Sequence, residues 1–314
     1  MQPTLVVLRA LGLGDLLTAV PALRALADAY PEHRRLLACP QWLEPVALLT
    51  GAVHGVVPAA PLEPLPASVH HADLAVNLHG RGPQSTALLA RTRPSRLVAF
   101  EHPDALSTAG SPQWRDHEHE AHRWCRLLRE TGVEADPTRL DLDPPSVSVP
   151  AATGGATVLH PGAGAAARRW PTDRWAAVAR AERAQGHPVL LTGSPAERGI
   201  ATRVATLAAL PDEANLAGRT SVLELVGVVA AAARVVSGDT GVAHVATSLR
   251  TPSVVLFGPV PPSAWGPPPR PEHRVLWHRS VGDPHGTRPD PGLLAISVDD
   301  VLAELACVHR GAAA

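Results

Sequence analysis

The chain alternates short, strongly apolar β-forming runs with longer stretches of helical periodicity, and this rhythm leaves few folds open to it. Residues 4–8 read as a strand, 15–30 as a helix and 35–39 as a strand again, which is a βαβ opening. The pattern continues through a helix at 42–49, strands at 54–57 and 73–78, a helix at 84–91, a strand at 96–100 and a helix at 118–131. Strands this apolar, separated by helices, need cover on both sheet faces, as in a doubly wound parallel sheet. A Rossmann-like first domain is therefore expected over residues 1–140.

Both patterns stop near residue 136, where Pro137, Pro144, Pro145 and Pro150 follow one another closely, so 141–155 reads as a linker. A second α/β series then runs to about residue 290. Its strands are expected at 157–160, 188–192, 235–237 and 253–257, and its helices at 172–185, 195–208, 221–232 and 241–248. The proline-dense stretch 259–291 reads as irregular. A last helix at 298–309 has Ser297 as N-cap and Asp300 three positions on. With 314 residues, two domains sharing a crevice are the natural division.

Composition excludes several classes of function. A formal net charge of -1 gives no global attraction to nucleic acid. All 28 basic residues are Arg, a coding bias that weakens any argument from a single Arg. Cys39, Cys125 and Cys307 have neither disulfide-framework nor zinc-site spacing, so a reducing cytoplasm is expected. The apolar N-terminus lacks a basic n-region and is interrupted by Arg9 and Asp15, which makes it a buried strand rather than a signal peptide. No uninterrupted apolar run reaches the ~18 residues of a membrane span. A monomer without a transmembrane segment is expected, with contact at a membrane surface left open.

Open α/β sheets bind ligands beyond the carboxyl ends of their strands, and three such loops stand out. Gly12-Leu13-Gly14-Asp15 follows the first strand and opens a helix, so the backbone can approach a ligand and Asp15 can project toward it. Leu17 replaces the third glycine of a dinucleotide fingerprint. The plainer reading of Asp15 is a helix N-cap. His160-Pro161-Gly162-Ala163-Gly164, followed by Arg168-Arg169-Trp170, offers amides and guanidinium groups suited to a diphosphate; it lacks the Lys and Ser or Thr of a P-loop, and its arginines could simply be solvated. Gly238-Asp239-Thr240-Gly241-Val242-Ala243-His244 begins a helix directly after a strand, where free amides favour phosphate oxygens. Here Asp239 could be only an N-cap and His244 a core histidine. Glu197 could accept bonds from ribose hydroxyls, although Ser194 and Glu197 also form a capping box. The run from His117 to His122 does not match HExxH, because residue 121 is Ala, and reads as a solvated helix start without metal.

Taken together, Leu11-Gly12-Leu13-Gly14-Asp15 with Pro21-Ala22-Leu23-Arg24, His160 to Ala163 with Arg169-Trp170-Pro171, and Gly238 to His244 with Phe257-Gly258-Pro259 resemble glycosyltransferase family 9. Its best-known members are ADP-heptose:lipopolysaccharide heptosyltransferases. The resemblance runs in order from about Val6 to Pro259. It implies a GT-B fold with two Rossmann-like domains facing a central cleft. The N-terminal domain (1–140) would bind the acceptor and the C-terminal domain (156–290) the donor, while the last segment (291–314) would pack back on the first domain. The implied reaction is inverting and metal-independent, requires no cofactor, and moves a sugar from a nucleotide sugar, ADP-heptose in the family, to an acceptor hydroxyl or amine. Asp15 would be the general base, with Gly12, Gly14 and His79 on the acceptor side. His160, Gly162, Arg168, Arg169, Glu197, Asp239, Thr240, Gly241 and His244 would hold the donor. The family commonly carries Lys where Arg168 or Arg169 stands, and a planar fork meets phosphates differently from a point charge.

Three rivals remain at this level. The same fold could use another nucleotide sugar on a specialised-metabolite acceptor. A non-catalytic nucleotide-sugar binding protein would not need Asp15 in its loop. An NAD-dependent enzyme is disfavoured by Leu17.

Overall fold

Leu5, Val6, Val7 and Leu8 are all buried, so strand β1 (Thr4–Leu8) has no solvent face and must lie inside a covered sheet. The computed structural model, which describes residues 2–308, divides into two compact units, Met1–Leu140 and Asp141–Ala314. In the first, β1 is followed by α1 (Leu13–Ala29), β2 (Arg34–Cys39), α2 (Glu44–Leu49), β3 (Gly55–Pro58), β4 (Leu74–Asn77), α3 (Gln84–Arg91), β5 (Arg96–Val98) and α4 (Glu120–Glu130). The sheet order is β3-β2-β1-β4-β5, every pair parallel. Val6, Leu8, Leu36, Ala38, Ala75 and Leu89 form its core. The order reverses between β1 and β4, so the chain leaves these two neighbours in opposite directions and opens a crevice at their carboxyl ends.

The second unit contains β6 (Thr157–His160), α5 (Thr172–Ala184), β7 (Val189–Leu191), α6 (Arg198–Leu207), α7 (Val222–Ala231), β8 (Arg234–Gly238), α8 (Gly241–Ser248), β9 (Ser253–Leu256), α9 (Pro262–Trp265), β10 (His273–Leu276), α10 (Pro291–Ala295) and α11 (Val298–Cys307). Its parallel order is β10-β9-β8-β6-β7, with the reversal between β6 and β8. Leu159, Trp175, Val178, Leu191, Val236 and Val254 lie at its centre.

One sequence expectation needs correction. The stretch 259–291 is not wholly irregular: it carries α9 and β10, and α10 starts at its end. An edge strand needs only one partner, so four residues between prolines suffice, with His273 to Leu276 registered on Ser253 to Leu256. The last helix buries an apolar face in the second unit. Val301, Leu305 and Val308 join the second core, and α11 packs on α5, β9 and β10. Arg174 fixes its approach by donating to the carbonyls of Leu294 and Ile296 at 2.6 and 2.7 Å, and Trp170 Nε1 donates to that of Ile296 at 3.1 Å. The expected end of this helix at His309 lies outside the described residues.

Candidate active site

In the first unit, helix α1 begins earlier than expected, with Gly12 as its N-cap. Asp15 is therefore the third residue of the helix and not its cap. Its Oδ2 accepts the Gly12 N–H at 3.1 Å, which ties down one of the amides a helix start leaves without partner. Gly14 lies in that same first turn. The Asp15 side chain keeps 28% exposure, enough to meet a ligand.

Behind Asp15 lies a group that the sequence reading did not assign. Arg9, only 1% exposed, follows β1 directly. Its Nε donates to the Asp15 carbonyl at 2.8 Å and its Nη1 to the Leu78 carbonyl. Its Nη2 reaches Asp15 Oδ1 at 3.3 Å, Thr18 Oγ1 at 3.3 Å and Glu120 Oε1 at 3.0 Å. The indole of Trp124 lies 4.9 Å from the guanidinium carbon and also donates to Glu120 Oε1 at 3.0 Å. A charge at the end of an apolar strand was the available signal. Glu120 corrects the reading of 117–122 as a solvated helix start: it is 6% exposed and paired with Arg9 and Arg123. Glu118 pairs with Arg126 at 2.7 Å, and His119 caps α4 through the Ala121 N–H.

His79 follows β4 across the crevice, and its Nδ1 accepts the Ala10 N–H at 3.2 Å, which leaves the proton of the neutral ring on Nε2. Burial, and then the neighbouring Arg9 charge, hold its pKa below the ordinary histidine value, while Asp15 pulls the other way. Gly12, Asp15 and His79 thus meet at one switch point.

In the second unit, the loop after β6 meets the loop after β8. Arg168 Nη1 donates to the Asp239 carbonyl at 3.3 Å, and a Cβ on Gly238 would stand 3.3 Å from the Arg168 carbonyl. Arg169 Nε is turned back onto the Ala163 carbonyl at 2.9 Å, where it braces the loop. Thr240, and not Asp239, is the N-cap of α8, yet its side chain makes no capping bond. Arg168 Nε, Ser237 Oγ and Thr240 Oγ1 are buried without protein partners. Such groups are costly to bury, so these three, at the end of β8 and on the loops after β6 and β8, suit polar atoms that the protein does not supply. Gly241 is the first residue of α8, where a helix leaves amides without intrahelical partners. His244 lies further along α8, its ring 6.0 Å from that of Trp265.

Glu197 lies beside the same β6 loop. Its Oε2 accepts the Ser194 N–H at 2.8 Å, as the capping-box reading required, and stands 4.0 Å from His160 Nε2. A Cβ on Gly162 would collide with this carboxylate, so glycine there is a condition of the approach. His160 Nδ1 lies 3.0 Å from Thr192 Oγ1. Burial lowers the His160 pKa against the opposing pull of Glu197, which keeps the ring neutral. Among the described residues, no group of three or more His, Cys, Asp or Glu side chains is placed to hold a metal ion, and no helix is long and apolar enough to cross a membrane.

Comparison with solved structures shows the fold. Escherichia coli ADP-heptose lipopolysaccharide heptosyltransferase II superposes with a TM-score of 0.74 at 22% identity, over 96% of this chain and 97% of that one. A family 9 glycosyltransferase of Veillonella parvula gives 0.76 at 17% identity, over 98% and 97%. The architecture is thus GT-B, with two Rossmann-like domains. The family model for glycosyltransferase family 9 (heptosyltransferase) matches residues 109–284, more than half of the sequence, and the chain belongs to that family. Lipooligosaccharide heptosyltransferase 2 of Haemophilus influenzae is 35% identical over 101 residues, and this match takes in 31% of the chain but only 29% of that relative's length.

Proposed function

We propose that the chain is an inverting glycosyltransferase that moves a sugar from a nucleoside diphosphate donor to an acceptor hydroxyl or amine. The observation that carries this reading is the set of partnerless polar atoms on Arg168 after β6, on Ser237 at the end of β8 and on Thr240, the N-cap of α8. A helix N-terminus and a guanidinium together suit a diphosphate, the group on which negative charge grows as the glycosidic bond breaks. Arg168 would bind the phosphates with the Thr240 and Gly241 amides, and Asp239 and His244 would border the donor sugar. His160 and Gly162 would shape the loop, braced by Arg169, and Glu197 would accept from ribose hydroxyls. The heptosyltransferase names of the relatives favour ADP-heptose as donor and a glycan as acceptor.

Asp15 would be the base that takes the acceptor proton as the acceptor attacks the anomeric carbon, with Gly12, Gly14 and His79 beside the acceptor. Its geometry supports this role: Oδ2 accepts from Gly12 and Oδ1 from Arg9, while the group keeps solvent access. In this reading the first unit serves the acceptor and the second the donor. The enzyme needs no cofactor and works as a cytoplasmic monomer.

Asp15→Asn tests the base. General-base contributions are typically 10²–10⁴-fold, so turnover of ADP-heptose with a panel of lipopolysaccharide-core acceptors should fall by about that factor while ADP affinity stays unchanged. Turnover equal to that of the unaltered protein would remove Asp15 from the mechanism.

A further inference from the structure

Among the described residues, four large apolar side chains are more than half exposed, and three of them lie on loops that follow strands of the first unit. Trp42, 54% exposed, follows β2; Leu62, 53% exposed, follows β3; Leu106, 86% exposed, follows β5. Scattered singly, such residues mean little, but these three stand at the carboxyl pole of the sheet that also carries Asp15 and His79. The strand ends there are tied to one another. The Ala59 N–H donates to the Cys39 carbonyl at 3.0 Å, the Arg9 N–H to that of Ala38 at 3.0 Å and the Leu78 N–H to that of Leu8 at 3.1 Å. A Cβ on Gly82 would lie 3.8 Å from that of His102, so the loops after β4 and β5 also meet. Leu62 has a φ of 60°, in the left-handed region that disfavours a leucine, so its exposed side chain is kept at a cost in backbone energy.

We infer that this rim takes the apolar body of the acceptor, and that the acceptor is an uncharged amphiphile, free of phosphate and carboxylate groups, whose hydroxyl reaches Asp15. This inference rests on the reading of the first unit as the acceptor side. Charge decides the class. Loops 40–43, 59–66, 79–83 and 99–117 contain four carboxylates, Glu63, Glu101, Asp104 and Asp116, against two guanidinium groups, Arg81 and Arg115. Arg115 is paired with Glu130 on α4 at 3.2 Å, and Arg9, the cation that touches Asp15, is buried and engaged by its own partners. His79 adds a neutral donor. An anionic acceptor would therefore enter a field of its own sign, with the Asp15 carboxylate at the centre. The same charge disfavours an anionic bilayer surface as the occupant, because such surfaces attract basic segments. An uncharged amphiphile meets no such opposition and gains by covering Trp42 and the two leucines.

The test titrates the full-length protein, without nucleotide, with n-octyl β-D-glucopyranoside and with its 6-phosphate, both below their micelle-forming concentrations, and follows binding by saturation-transfer NMR. The uncharged probe should bind about tenfold or more tightly than the phosphate, and Trp42→Ala and Leu106→Ser should each weaken it about fivefold. Leu207→Ser, which removes an exposed leucine of the second unit, should leave it unchanged. Glu63→Gln combined with Asp104→Asn should strengthen binding of the phosphate alone. Equal or tighter binding of the phosphate, or affinity for the uncharged probe that neither rim variant alters, would overturn the inference. So would binding to phosphatidylcholine vesicles that both rim variants abolish, with no binding of the monomeric probe, since the rim would then belong to a bilayer. Trp42 and Leu106 lie on separate exposed loops, so either variant alone keeps the test valid. Failure here leaves sugar transfer intact with an anionic acceptor, whereas unchanged turnover in Asp15→Asn would remove the base without altering the binding of either probe.

Discussion

His273 shows how one side chain carries a property of the whole protein. At the start of the edge strand β10 it is 7% exposed, with Nδ1 2.9 Å from Ser253 Oγ. Burial lowers its pKa to about 4, with Arg270 and Arg250 adding to the effect and Glu272 and Asp141 opposing it. An unfolded histidine titrates near ~6.5, so between these two values the unfolded chain holds a proton that the folded chain refuses. The stability tied to His273 is complete above that unfolded value and is lost as the pH falls toward 4, a total of about 3 kcal/mol. His79 and His160, also lowered, act in the same direction. Thermal melting should therefore decline steeply between about pH 6.5 and pH 4 and more gently in His273→Gln; equal slopes would show that this ring contributes nothing.

At the scale of elements, α11 offers a direct check on its assignment to the second unit. Leu305 is 1% exposed in that unit's core, so Leu305→Ala should destabilise the second unit by about 2–4 kcal/mol, measured by urea unfolding with a fluorescence probe on Trp175. A change below about 0.5 kcal/mol would mean that the helix is not docked there. The strands were legible beforehand because runs such as Leu5 to Leu8 are buried on both faces and so carry no polar alternation to confuse them. β10 was not, since an edge strand among prolines has little apolar content of its own and depends on β9 for its shape. The partner of α11 was beyond the sequence for a related reason: amphipathic spacing identifies a buried face but not the surface that buries it. The site divided in the same way. The places of Asp15, Arg168 and the α8 loop just beyond strands could be read from the strand pattern alone. Arg9 and Glu120, 111 residues apart, meet only through the packing of α4 on α1 and could not be paired in advance.

Across the whole molecule, two sheets of different strand order repeat one device. Each reverses direction beside its first strand, β1 in one unit and β6 in the other, and each places its chemistry-bearing loops at that reversal. In the first unit the reversal gathers a carboxylate and a neutral histidine; in the second it gathers a guanidinium, a helix start and three partnerless polar atoms. A carboxylate on one unit, and a guanidinium with a helix start on the other, are the two components that the proposed sugar transfer would demand. The claim at the centre of this account is that the loops after β6 and β8 bind such a diphosphate. Calorimetric titration with ADP, UDP, GDP and NAD in EDTA, on the unaltered protein and on Arg168→Ala, tests it most directly. The account predicts selective binding of ADP, weakened about tenfold or more in the variant, which corresponds to the loss of roughly one charge-assisted contact. Preference for NAD, or ADP affinity unchanged by the loss of Arg168, would contradict it.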